Sequence, residues 1–141
     1  LLQALDRLPA TPAWVTYSCR NGAETSAGDP IETAIEAVAG HPGIVAVGVN
    51  CTSPTFVGEL LERAARVTDL PLVAYANSGQ QWDALHNCWV GPPTPADDPA
   101  LLDRWLAAGA RIIGGCCGVG PDGIERLRAA RDAAGPDGEA A

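Results

Sequence analysis

The sequence predicts an α/β protein built on a parallel sheet. Three observations point there: four short apolar runs, amphipathic stretches between them, and Asx-Pro or Ser-Pro pairs that open those stretches. The runs are Ala13–Tyr17, Gly43–Val49, Leu70–Tyr75 and Ala110–Gly114. Their β-branched and aromatic content favours strands. Most lack strict in/out alternation, which predicts burial on both faces, as in a parallel sheet.

Taken in order, Leu1–Leu8 reads as the end of an amphipathic helix, with charges inside its apolar pattern, and not as a signal peptide. After the first strand, Asp29-Pro30 predicts an N-cap followed by Pro at the first helical position. Ile31, Ala34, Ile35 and Val38 then recur at helical spacing up to Gly40. Ser53-Pro54 opens the next helix, with Val57, Leu60, Leu61, Ala64 and Ala65 as its stripe. Asp98-Pro99 opens a third through Leu101, Leu102, Trp105 and Leu106, and Pro121 a fourth through Ile124, Leu127 and Ala130. Asp29 and Asp98 are read as caps. Strand starts recur roughly every thirty to forty residues, the spacing of a β/α barrel or of a doubly wound sheet with right-handed crossovers. Residues 86–99 form a Pro-rich loop with no helical period. No linker divides the chain, so residues 1–134 are read as one domain and 135–141 as a disordered tail.

Seventeen acidic against nine basic residues give a net charge of −8, which argues against a nucleic-acid partner. No apolar stretch approaches the roughly 18 residues of a membrane span. The chain has no Met, from which residue 1 is expected not to be the natural start. Five cysteines, two of them adjacent, fit reduced thiols in the cytoplasm better than a disulfide framework.

Three of those cysteines fall at strand ends: Cys51 in Gly48-Val49-Asn50-Cys51, and Cys116 and Cys117 in Gly114-Gly115-Cys116-Cys117-Gly118. In parallel β/α folds the C-terminal ends of strands converge on the active site, so these thiols can meet. Adjacent residues of a regular strand point to opposite faces. Gly114, Gly115 and Gly118 remove that objection by letting the backbone turn. Three thiolates and an open position would make a catalytic zinc site, and a substrate sulfur suits the fourth place because zinc accepts soft donors. Two plainer readings stay open: small buried hydrophobes, or a strained vicinal disulfide between Cys116 and Cys117. Cys19, Cys88, His41 and His86 are assigned no role. Asn77-Ser78-Gly79 after the third strand reads equally as polar ligand contacts or as a turn. No acid/base pair is visible among the carboxylates.

Gly48-Val49-Asn50-Cys51, Tyr75-Ala76-Asn77-Ser78-Gly79 and Gly109–Cys117 together resemble the second half of the homocysteine S-methyltransferase family. The Asn-Ser-Gly segment is nearest to the branch using S-methylmethionine or S-adenosylmethionine. The resemblance implies the C-terminal half, about strands five to eight, of a parallel β/α eight-fold barrel. It implies Zn2+ on Cys51, Cys116 and Cys117, with Asn50, Asn77, Ser78 and Gly115 as candidate substrate contacts. It also implies homocysteine and a sulfonium methyl donor as partners, and methionine as product. Gln80 stands where that branch commonly has an acid, and Ala76 where Pro is common, so no role for that acid is carried over. Such barrels have about 250 residues, so an N-terminal half-barrel or a second copy is expected as partner. In an open half, Val45, Val47, Val73 and Ile113 are expected to meet water. The alternatives are a non-catalytic zinc-binding half-barrel and a thiol redox protein.

Overall fold

The computed structural model describes residues 2–7, 11–96 and 98–133, so the expected tail at 135–141 lies outside the described residues. The elements in chain order are α1 (Leu2–Leu5), β1 (Ala13–Tyr17), α2 (Ile31–Ala39), β2 (Ile44–Asn50), α3 (Pro54–Ala64) and β3 (Leu72–Ala76). They continue as β4 (Gln81–Asp83), β5 (Cys88–Val90), α4 (Pro99–Ala107), β6 (Ala110–Gly115) and α5 (Pro121–Ala133). The four predicted strands pair in parallel in the order β1-β2-β3-β6. β3 therefore lies between the two strands that carry the candidate cysteines.

The helices α2, α3 and α4 cover one face. Ile31, Ile35, Val57, Leu60, Leu61 and Trp105 are fully buried there against Val47, Val49 and Ala74. Each such aliphatic contributes roughly 1.5–3 kcal/mol. The opposite face carries Trp14, Thr16, Gly48, Asn50, Val73, Tyr75 and Ile112, which meet in register. Of the four side chains expected to meet water, only Val45 is largely exposed, at 45%. Val47 and Val73 are buried and Ile113 packs on the core. Val73 stays on the uncovered face, between its register partners Gly48 and Ile112, and is buried there. For Val47 and Ile113 the cause is a slip in register: Ala13 pairs with Ile44 but Trp14 with Ala46, leaving Val45 without a partner, and Arg111 is skipped in the same way between Leu72 and Val73. A one-residue slip moves all later side chains of the strand to the other face, so Val47 and Ile113 point to the helices.

Four local expectations are corrected. α2 starts at Ile31 with Pro30 as N-cap and no side-chain cap bond, so Asp29 is not a cap. Its backbone is held in the preceding loop, where its carbonyl accepts the Thr25 N–H (2.9 Å) and its N–H donates to Thr25 Oγ1 (3.2 Å). Asp98 does cap α4, accepting the Ala100 N–H at 2.9 Å. Ile124 is 43% exposed, so Leu127 rather than the whole predicted stripe anchors α5. Within the Pro-rich loop, Cys88–Val90 is a strand, pairing with Gln81–Asp83 as an antiparallel hairpin too short for any period to register. Ala65, assigned to the stripe of α3, is exposed beyond the helix end.

Tyr75 crosses the uncovered face to reach Thr16, hydroxyl to Oγ1 at 2.7 Å, although β2 lies between them. Gly48 pairs with Thr16 on one side and Val73 on the other. A Cβ at Gly48 would collide with the Val73 carbonyl. Gly48→Ala is therefore expected to destabilise the chain by about 1–3 kcal/mol, the usual cost of overpacking. Chemical denaturation would measure it, and an unchanged midpoint would contradict the close approach.

Candidate metal centre

Cys51 is the first residue after β2, and Cys116 and Cys117 the first two after β6. Their three sulfurs lie within 4.8 Å of one another. Cys51 Sγ is 3.3 Å from Cys117 Sγ, and Cys116 Sγ is 3.9 Å from Cys117 Sγ. All five cysteines are free thiols, so the vicinal disulfide is not formed. This is the only cluster of metal-ligating side chains of its kind found among the described residues, and it could hold a metal ion.

The end of β3 organises the cluster. The Tyr75 carbonyl accepts the Cys51 N–H (2.9 Å), and the Ala76 carbonyl accepts the Cys116 N–H (2.7 Å). The Ser78 N–H donates to the Cys117 carbonyl at 2.9 Å. Asn77, 8% exposed, donates from Nδ2 to the Cys51 carbonyl (3.1 Å) and accepts the Gly79 N–H on Oδ1 (2.8 Å). Both ends of its amide are thereby engaged with backbone. Cys51 needs this grip, since its φ of +47° lies in the left-handed region that a non-glycine residue occupies at a cost of order 1–3 kcal/mol. The turn after the double cysteine is made at Gly118, φ +77°. Gly114 and Gly115 belong to β6, so of the three glycines it is Gly118 that turns the chain.

The candidate substrate contacts take different places. Asn50 ends β2 on the uncovered face, half-exposed beside Cys51. Ser78 is buried, with Oγ donating to Gln80 Oε1 at 3.2 Å. Gly115 lies on the helix side, where a side chain would run into Val119. Asn77 and Ser78 grip both cysteine loops, so the turn reading of that segment describes much of what they do. The sequence alone does not single out Thr52. It is 1% exposed; its Oγ1 accepts the Cys19 N–H (2.9 Å) and donates to the Asn50 carbonyl (2.9 Å), while its own carbonyl accepts the Asn77 N–H (3.0 Å). A hydroxyl residue just before Ser53-Pro54 was the available signal, since Ser and Thr bond nearby backbone at helix starts.

Burial, followed by the Cys116 and Cys117 thiols, pushes Cys51 up to about 12. Burial likewise pushes Cys19 up to about 11, against a lowering hydrogen bond with Thr52. Metal-free, these two thiols hold their protons at neutral pH. Because their folded values are raised, the stability they contribute is present below 9.0, the value of a free thiol, and is lost as pH rises toward 11 to 12.

Comparison with known proteins adds the decisive observation: the family model described as homocysteine S-methyltransferase matches residues 1–131. The chain belongs to the homocysteine S-methyltransferase family. It is 37% identical over 119 residues to a selenocysteine methyltransferase of Astragalus bisulcatus, covering 83% of this chain and 35% of that protein. It is 36% identical over 130 residues to a homocysteine S-methyltransferase of Escherichia coli (strain K12), covering 92% of this chain and 42% of that protein. The chain thus spans well under half the length of these relatives. Among solved structures it resembles the homocysteine methyltransferase MmuM of Escherichia coli. The apo form gives a TM-score of 0.73 at 32% identity, covering 92% of this chain and 43% of that one. The metallated form gives 0.68 at 34%, with 92% and 38% covered.

Asn77→Ala should leave the fold intact yet weaken metal binding about tenfold or more, the usual effect of losing a residue that orients a ligand. A competitive chelator titration would read this. Unchanged affinity would show that Asn77 does not position Cys51.

Proposed function

We propose that this chain is the metal-binding half of a zinc-dependent methyltransferase. In the full-length enzyme it would move a methyl group from a sulfonium donor, S-methylmethionine or S-adenosylmethionine, to the thiol of homocysteine, giving methionine. The observation that carries the reading is the convergence of Cys51, Cys116 and Cys117 on one point. A zinc–thiolate distance of about 2.3 Å in a tetrahedron implies sulfurs about 3.8 Å apart. The 3.3 and 3.9 Å separations fit that with small rotamer changes. Three protein thiols leave a fourth position free, as catalytic rather than structural zinc sites do.

Zinc in this position would supply a Lewis acid that takes up a soft substrate sulfur and favours its thiolate near neutral pH. The protein's part is to hold the three ligands and present the acceptor. Backbone bonds from β3 fix both cysteine loops before any ligand arrives, so little reorganisation is left for the loaded state. Asn50, beside Cys51 on the uncovered face, is the candidate contact best placed to meet homocysteine. In the transfer itself the homocysteine sulfur forms a bond to the methyl carbon as that carbon's bond to the sulfonium sulfur breaks. The donor departs as a neutral thioether.

The four parallel strands form one half of a β/α barrel in this proposal. Among the described residues, β1 and β6 are edge strands, and one face of the sheet has no helix over it. Edge backbone groups invite pairing with another chain. An N-terminal half-barrel, or a second copy, would cover this face and complete the mouth around the thiols. Five free thiols suit a reducing, cytoplasmic setting. Among the described residues no helix is long and apolar enough to cross a membrane.

The reduced chain is expected to bind about one zinc. Cys51→Ser, Cys116→Ser and Cys117→Ser should each weaken binding by more than the about 10–100-fold typical of outer residues. Cys19→Ser and Cys88→Ser should leave it unchanged. Metal analysis decides, and full zinc in the Cys51 variant would sink this ligand set. Because Cys51 is protonated when metal-free, uptake should release protons and apparent affinity should rise with pH across the neutral range. Buffer-dependent calorimetry would detect that release.

The chain alone is expected to show no methyl transfer from S-methylmethionine to homocysteine, because substrate orientation is incomplete with half the mouth. Restoring the N-terminal half of a relative should restore turnover. Robust activity of the isolated chain as a monomer would overturn the half-barrel assignment.

A further inference from the structure

The β4–β5 hairpin is not used by the thiol cluster, yet the chain ties it down beside that cluster. Ser78, bonded to the Cys117 carbonyl, also accepts the Thr94 N–H on its own carbonyl at 2.7 Å. Gln80 Nε2 donates to the Gly91 carbonyl at 2.9 Å, closing the base of the hairpin. Trp82 is four residues beyond Ser78, so their Cα atoms lie within about 14 Å. The turn is braced as well: Asp83 Oδ1 accepts the N–H groups of Leu85 (2.9 Å) and His86 (3.1 Å), and Oδ2 lies 2.6 Å from His86 Nδ1.

On this frame Trp82 and Trp89 sit directly opposite each other, on the same face of the hairpin. Their ring centroids are 5.3 Å apart and their planes cross at 64°. Trp82 is 51% exposed. The two indoles thus form a fixed aromatic corner open to solvent. Indole faces carry negative potential and attract a cation within about 6 Å, and methylated onium groups suit them because their charge is spread over weakly hydrated methyls. A neutral thioether of the same shape lacks that attraction.

We propose that Trp82 and Trp89 form the recognition corner for the methyl-sulfonium group of the donor at the rim of the thiol site. This rests on the sulfonium-donor reading above. It explains how the full enzyme would distinguish the charged donor from the uncharged thioether left after transfer: the charge held by the indoles disappears as the methyl moves.

The test uses the full chain, zinc-loaded, with nitrogen-labelled tryptophan. S-methylmethionine should shift the indole N–H signals of Trp82 and Trp89 and bind about two- to fivefold more tightly than methionine, as expected of an exposed cation–π contact. Trp82→Leu should abolish that preference while zinc content stays unchanged. Cys117→Ser should keep the preference, which separates failure of this corner from failure of the zinc reading. Equal binding of methionine and S-methylmethionine would overturn the proposal. So would an unaltered preference in both Trp82→Leu and Trp89→Leu, or indole signals that move only with protein concentration, which would mean a second copy occupies the corner.

Discussion

Three thiols from two strands that do not touch meet over the end of the strand between them, and the rest of the site depends on how that strand stops. With β3 interposed, β2 and β6 are two strand spacings apart, about 9.5 Å. Sulfurs within 4.8 Å of one another therefore require both flanking loops to lean inward. β3 permits this by ending at Ala76 and lending its last carbonyls, Tyr75 and Ala76, to the N–H groups of Cys51 and Cys116. Asn77 and Ser78 then reverse the polarity, donating to the carbonyls of Cys51 and Cys117. Donor and acceptor groups of one short segment thus hold both loops, and a change in the path of β3 would be felt by all three thiols together.

That arrangement accounts for a backbone conformation that would otherwise be unfavourable. Cys51, at φ +47°, has both its N–H and its carbonyl bonded, on either side of the strained angle. Strain of this kind persists when surrounding contacts over-determine it, and it is concentrated at functional positions. Thr52 continues the chain of bonds to Cys19 and Asn77, so the loop after β2 is fixed from three directions.

The sheet was legible because each strand combined an apolar run with a polar loop and a capped or Pro-opened helix, cues that agree with one another. The cysteine cluster was legible for a topological reason: strand ends on one edge of a parallel sheet are neighbours wherever they occur in the sequence. Facing was not legible. The slips at Val45 and Arg111 reverse the facing of every later residue in their strands, and nothing in Ile44-Val45-Ala46-Val47 marks which residue goes unpaired. The hairpin escaped because three-residue strands are shorter than any period, and its stability comes from the Trp82–Trp89 pair and the bonds at its base. The roles of Asn77 and Gln80 depend on which backbone groups they reach. Gln80 shows why the amide matters here: it accepts from Ser78 and donates to the Gly91 carbonyl, and a carboxylate could not make the second bond.

The bond from Tyr75 to Thr16 passes over β2 at the residue that has no side chain. What a Cβ at position 48 would meet is main chain, the oxygen, carbon and nitrogen of Val73, and not the Tyr75 ring. Shrinking Tyr75 would therefore cost Thr16 its partner without making room at 48, and the glycine answers to the path of β3 rather than to any side chain around it.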